Sequence, residues 1–542
     1  MFVEYMTPLH RSILRAACFV LASLFAAWLL SANEADSPYI STESYQQVYF
    51  TDEGLYTKGA TWFSRHNELF QPVDFCIAHI IAPFYVLSLG SVFQVLGESW
   101  RVARGFSIFM SFLALGAFWS ICRKHLPQVS CWLATVSAAL AFQYLHSARL
   151  ATADPLGIAL CLLSAAAWVY WNPSIAGTLL ALLIAVAAVL TKTGYGAFFC
   201  ALVLCVAIDV FLDWSRQNRS AALVKAAILA MTVALLVGLL HYFRTLNPAL
   251  ANYIQQLNFN ADLGFRFSLG TGLRYQLHSL FPSSFLLPGV PVLLVAAGFT
   301  VLSGNGRGGF RAQFLTKLHL IAADPVNRLF LLWATGGVFL FGMTSMQGAR
   351  YYLFLVFVVA YFAFWSLNKL TPAPIEAQWL ALLVAVLHLA SQLNFYLLWS
   401  QQHPESSYIA ISRDIAARIV ADNRGQNHVL AHGLSDWLAL FDTRITGVDF
   451  GYDSLEPVQS RSQRLRHWRP RYVIVNQDDV WLNSQTLQKL ITDNSDLLDG
   501  AELMAEYRFL FRNNYPNSPD NRKPNLRLLR LNYKPIFEKS MR

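Results

Sequence analysis

Residues 151–214 read ATADPLGIAL CLLSAAAWVY WNPSIAGTLL ALLIAVAAVL TKTGYGAFFC ALVLCVAIDV FLDW, and their charged side chains are Asp154, Lys192, Asp209 and Asp213. Three apolar segments, near 154–171, 174–190 and 195–213, are separated by short links at Asn172-Pro173 and Thr191-Lys192-Thr193-Gly194. Each is about 17 to 19 residues long, enough helix to cross the hydrocarbon of a bilayer. The stretch therefore predicts three consecutive membrane spans, and its pattern recurs along the chain.

Similar segments lie near 12–31, 101–121, 129–147, 223–243, 283–303, 328–346, 350–367 and 376–398. Together they give about eleven spans. A further apolar segment, 75–96, is assigned as a non-crossing interfacial helix, which suits His79, Pro83 and Gln94 within it. That choice places Arg123/Lys124, Arg216/Arg219/Lys225, Arg307/Arg311/Lys317 and Lys369 on the cytoplasmic side with Arg11 and Arg15, as the positive-inside tendency requires. A crossing at 75–96 would put all of these clusters outside. The run to Leu30 exceeds the core of a cleaved signal, about 7 to 15 residues, so an uncleaved first span is expected.

Composition agrees. Of 542 residues 55% are apolar and 13% charged, against about 25% charged in ordinary soluble proteins. Residues 1–399 carry 22 Lys+Arg and 15 Asp+Glu, whereas the much shorter 400–542 carries 19 and 17. Two domains are expected: a membrane domain, 1–399, with a first outer loop at about 32–100, and a soluble periplasmic α/β domain, 400–542. In the tail a helix is expected over Ile409–Val420, strands over His428–Ala431, Tyr472–Val475 and Leu526–Leu531, a helix over Ser484–Leu490, and an exposed loop over Asn513–Pro524. None of the 7 cysteines falls there, which excludes a disulfide-stapled tail. The tail has no GxGxxG or P-loop, so no nucleotide is assigned. The net charge of +9 reports membrane topology and no nucleic-acid partner is expected.

Four short patterns carry chemistry. Asp52-Glu53, in Thr51-Asp52-Glu53-Gly54-Leu55-Tyr56 of the first outer loop, reads either as acids favouring a helix start or as a general base for an attacking hydroxyl. Asp154-Pro155 has the form of an N-cap followed by Pro at the first helical position, and a carboxylate held in that way can also serve a site. Lys192 is either a snorkelling anchor or a point charge for phosphate. Arg350, followed by Tyr351, can grip phosphate oxygens bidentately. Taken singly, each has an ordinary structural explanation. With eleven spans, all of them emerge at one membrane face, where acids beside cations suit an acceptor nucleophile and a phosphate leaving group. Arg244, Arg266, Arg274 and His278, in the outer loop 244–282, are further cations available to such a site.

The order Asp52-Glu53, an apolar juxtamembrane helix, Arg104, Arg149 with Asp154-Pro155, Thr191-Lys192 and Arg350-Tyr351 resembles the GT-C glycosyltransferases of the protein O-mannosyltransferase and lipid A aminoarabinose transferase type. The resemblance covers roughly residues 10–400 and is clearest over 45–215. It implies a polytopic helical fold in a bacterial inner membrane, with the active site and tail on the periplasmic side. It also implies inverting transfer of a monosaccharide from a polyprenyl-phosphate carrier to a lipid, glycan or protein acceptor. Carried across, the acid at the reaction centre is Asp52, with Glu53 beside it and Asp154 as the second acid; charge and position, independently of the resemblance, assign the donor phosphate to Lys192, Arg350, Tyr351 and Arg274. No metal or other cofactor is expected.

Two departures bear on the sugar. Gln71-Pro72 stands where the aminoarabinose transferases have Lys-Pro, and Lys192 is followed by Thr193-Gly194 instead of by Gly directly. The resemblance thus implies the reaction class and not the sugar. Other membrane functions compatible with the pattern are a transporter or lipid flippase and a glycan polymerase or ligase. Ion-coupled transporters bury ionisable residues near the midplane, and these spans carry almost none.

Overall fold

The computed structural model describes residues 47–69, 81–148, 150–171, 174–246, 324–342, 353–370, 374–400, 408–422, 427–431, 437–449, 461–476, 484–507 and 526–534. The chain divides into two compact units. One comprises Met1–Glu34, Arg104–Leu240 and Gly264–Ser400; the other comprises Ala35–Ala103, His241–Leu263 and Gln401–Arg542. The expected spans near 12–31 and 283–303 lie outside the described residues, as do Arg149, Arg266, Arg274, His278, Arg350 and Tyr351.

Helices α1 (Gln47–His66) and α2 (Pro83–Leu96) belong to the second unit and pack closely on each other. Gly90 makes the approach possible, because a Cβ there would lie 2.7 Å from the Phe63 ring and 2.9 Å from the Ala60 carbonyl. Tyr56 meets Tyr85 edge-on at 5.4 Å. Asn67 ends α1 in a left-handed turn (φ 56°), its N–H donating to the Phe63 carbonyl. Arg65 then forks onto Glu98 at 2.9 and 2.5 Å. The 14 residues of α2 span about 21 Å, short of the ~30 Å hydrocarbon thickness.

The first unit is helical throughout its described residues: α3 (Trp100–His125, entering from Arg104), α4 (Gln128–Ala139), α5 (Phe142–Ala148), α6 (Ala153–Trp171), α7 (Ile175–Thr191), α8 (Gly196–Ser215), α9 (Arg219–Leu246, as far as Leu240), α10 (Pro325–Gly342), α11 (Leu353–Leu370) and α12 (Pro374–Ser400). Among the described residues, four helices are long and apolar enough to cross a membrane: Trp100–His125, Ala153–Trp171, Thr193–Ser215 and Arg219–Phe243. The segment 129–147, expected to be one span, is instead α4 and α5 with a break at Leu140-Ala141. Hydropathy registers apolar content but not this break. Tertiary contacts hold it: the Tyr144 hydroxyl donates to the Ser111 carbonyl on α3 at 2.6 Å, and Leu145 and Ala148 pack on Ile108.

Many of the large side chains facing outward from this unit are apolar. Phe109, Leu204, Phe211, Leu223, Met231, Val237, Phe339 and Val386 are 51–70% exposed, a surface suited to hydrocarbon and not to water. The contacts between helices use small residues. Ser164 of α6 donates to the Ala181 carbonyl of α7 at 2.7 Å, and a Cβ at Gly337 of α10 would lie 2.4 Å from the Phe354 ring of α11. The C-terminal end of α8 carries ion pairs, Lys225–Asp213 at 2.8 Å and Arg328–Asp209 at 2.7 Å.

The rest of the second unit contains α13 (Tyr408–Asp422), β1 (Asn427–Ala431), β2 (Ile445–Asp449), α14 (Arg461–Trp468), β3 (Tyr472–Asn476), α15 (Ser484–Asp493), β4 (Leu498–Tyr507) and β5 (Leu526–Tyr533). The sheet order is β2-β1-β3-β5-β4, with β1 parallel to β2 and β3, and β5 antiparallel to both of its neighbours. Leu430, Val473, Val475 and Leu531 form a core with Leu465 of α14 and Leu487 and Leu490 of α15. Trp100 stacks on Phe441 at 5.9 Å, so the start of α3 is tied to the tail within this unit. Three elements escape sequence patterning. β2 is five residues long and contains Gly447, β4 is rich in Ala and Glu, and α14 is polar almost throughout.

Candidate active site

Helices α6 and α7 form a hairpin, so the start of one lies beside the end of the other. α6 begins at Ala153, one residue before Asp154, so Asp154 lies in its first turn rather than at the N-cap position the sequence suggested. Its carboxylate is taken up by tertiary contacts. Lys192 leaves α7 with extended backbone (φ −164°, ψ 125°), and its side chain turns to α6. Its Nζ meets Asp154 Oδ1 at 2.7 Å, with the two side chains 12% and 3% exposed. A pair this short is charge-assisted, and at this burial the opposite charge offsets part of each group's desolvation.

Directly after Lys192, residues Thr193–Tyr195 make one 3₁₀ turn closed by the Tyr195 N–H on the Lys192 carbonyl at 3.0 Å. The turn carries Tyr195 onto α6. Its hydroxyl donates to the Asp154 main-chain carbonyl at 3.0 Å and lies 3.5 Å from Oδ1. Sequence reasoning passed over Tyr195. The available signal was the flanking pair Gly194 and Gly196, with Gly157 three residues after Asp154.

In the second unit, α1 runs from Gln47, so Asp52 and Glu53 lie in its second turn, not at a helix start. Glu53 is buried (1% exposed), and the Thr57 hydroxyl donates to its main-chain carbonyl at 2.5 Å. Arg104 of α3, in the first unit, is buried to the same degree. The structure thus brings Asp154 and Lys192 into direct contact within one unit. Asp52 and Glu53 stand on the other unit, and Arg350, Tyr351 and Arg274 lie outside the described residues.

No protein-family model and no curated protein sequence matches the chain. Among solved structures it is similar to ArnT from Cupriavidus metallidurans in the apo state, with TM-score 0.54 and 15% identity over 95% of this chain and 98% of that one. It is also similar to the same protein bound to undecaprenyl phosphate, with TM-score 0.56 and 15% identity over 94% and 97%. The chain has the GT-C fold.

At this identity what is shared is the fold, and the side chains must be argued from this chain's own geometry. Within the GT-C fold seen here, the α6–α7 hairpin sets a buried acid, a cation and a phenol at one end of the helical unit. The ion pairs of Asp209 and Asp213 lie at the other end of α8. Among the described residues, no group of three or more His, Cys, Asp or Glu side chains gathers as metal ligands.

Proposed function

We propose that this protein is an inverting glycosyltransferase that moves a monosaccharide from a polyprenyl-phosphate carrier to a periplasmic lipid, glycan or protein acceptor and releases polyprenyl phosphate. The observation that carries the reading is the buried Asp154–Lys192 pair at one end of an apolar helical unit with the GT-C fold. Ionisable pairs in such surroundings are costly and mark functional sites. Supporting it is the bound state of the similar ArnT, whose ligand, undecaprenyl phosphate, is a lipid phosphate of the class proposed as carrier here.

The chemistry follows from the partners. A carrier with a long apolar tail partitions into the bilayer and presents its phosphate at the interface, where no nucleotide-sugar pool is needed. The bond from C1 of the sugar to the phosphate oxygen breaks while a new bond forms from the acceptor oxygen on the opposite face. Asp52, with Glu53 beside it, takes the acceptor proton. Lys192, Arg350, Tyr351 and Arg274 offset the charge that develops on the departing phosphate. Lys192 shares its charge with Asp154, which sets where that cation stands. The protein lies in a bacterial inner membrane, with this end and the tail facing the periplasm.

The test is direct. Purified protein given a polyprenyl-phosphate-linked sugar and acceptor should release free polyprenyl phosphate. A flippase would move the lipid without consuming it, and a polymerase would require a diphosphate-linked oligosaccharide. Either outcome would displace the transferase reading.

A further inference from the structure

Lys192 and Tyr195 come from one four-residue segment and both reach a single turn of α6. Lys192 takes the carboxylate of Asp154, while Tyr195 takes its main-chain carbonyl. The seat of the tyrosine ring is Gly157, three residues along and therefore on the same face as Asp154. A Cβ at 157 would lie 1.9 Å from Cε2 of Tyr195 and 2.6 Å from Cδ2 and Cζ. The absence of that one carbon lets the ring rest against the helix backbone, with its hydroxyl one turn back at Asp154. The residue is 8% exposed, so the ring is enclosed there.

A phenol carries one proton, and the nearer acceptor is the carbonyl at 3.0 Å, not the carboxylate oxygen at 3.5 Å. The bond therefore fixes the backbone that bears the carboxylate. The first turn of a helix is where the chain frays most readily, and the Tyr195 hydroxyl adds a tertiary donor to a first-turn carbonyl, so an acid on that turn gains from the external clamp. We infer that Tyr195, seated on Gly157, is a positioning residue that holds the Asp154 carboxylate, and through it the Lys192 cation, in place for the departing phosphate. This rests on the transferase reading above.

The experiment uses the full-length protein in nanodiscs with a polyprenyl-phosphate-linked sugar, following release of polyprenyl phosphate. Tyr195→Phe keeps the ring on Gly157 and removes only the hydroxyl. Its kcat should fall about tenfold, while KM for the donor stays within about twofold. Its melting midpoint should stay within about 4 °C of the wild type. Gly157→Ala, which drives the ring off its seat, should reproduce the kcat defect with the same unchanged KM. Full kcat in either variant overturns the inference. So does a loss expressed in KM alone, or a midpoint lowered by more than about 10 °C in Tyr195→Phe, which would assign the hydroxyl to stability. Wild-type protein that leaves the donor intact overturns the transferase reading and the inference together. A wild type that turns over beside a fully active Tyr195→Phe overturns only the inference.

Discussion

At the residue scale, the informative side chain is Asp154. In an apolar run it was visible as an exception, but its local pattern, Asp before Pro, pointed to helix capping. The contact with Lys192, 38 residues away, depends on the α6–α7 hairpin closing. Breaking one side of such a pair removes the contact that offsets the other charge's desolvation, which costs up to about 3 kcal/mol, whereas removing both costs less. Asp154→Asn and Lys192→Gln should therefore each lower the melting midpoint, and the double variant should regain part of the loss. Turnover should fall about 10²-fold or more in each single variant and not recover in the double. Recovery of turnover along with stability would make the pair purely structural.

At the element scale, boundaries followed the chain's own pattern where one face of an element was buried and departed from it elsewhere. The strand expected at Tyr472–Val475 is β3, central in the sheet and apolar throughout its buried face. β4, with Glu502 and Glu506, gave no such signal because it lies at the sheet edge, where paired charges replace core contacts. One of these edge contacts is titratable. Tyr507 of β4 donates to Asp414 of α13 at 2.7 Å, and Arg418 donates at 2.6 Å. Partial burial pulls the Asp414 carboxyl upward, but the hydrogen bonds from Arg418 and Tyr507 outweigh it and hold it below its ordinary value. A carboxyl lowered in the folded state favours folding at pH above its unfolded value, about 3.9, and loses that contribution as pH falls through the folded value. The protection factors of amides along α13 and β4, each rate referred to its intrinsic exchange rate at the same pH, should fall together as pH is lowered from about 5 towards 3, and Asp414→Asn should remove that dependence. An equal fall in the variant's protection factors would assign the change to other carboxylates.

At the scale of the whole molecule, the remaining question is which aqueous side each end of the helical unit faces. Applied to Arg216, Arg219 and Lys225 around the α8–α9 link, the positive-inside tendency predicts that this link faces the cytoplasm and that the Lys192 end and the tail face the periplasm. With the 7 native cysteines replaced by serine, in intact cells with a permeabilised outer membrane, a membrane-impermeant thiol reagent should label Asp496→Cys, which is exposed in the tail, and leave Gln217→Cys unlabelled until the inner membrane is opened. The reverse pattern would invert the topology.

The sequence by itself determined the membrane-helical class, the charged tail and the acid–base pattern at span ends, because hydrophobic length and charge placement are local properties set by the bilayer. The resemblance in motif order pointed to the GT-C fold that the structural comparison then showed. Tertiary structure alone decided that Asp154 meets Lys192, that Tyr195 rests on Gly157, and that 129–147 is broken into two helices. Those features depend on groups distant in sequence. Their energies arise only once the helices have packed, when desolvation makes a partner for each buried polar group obligatory.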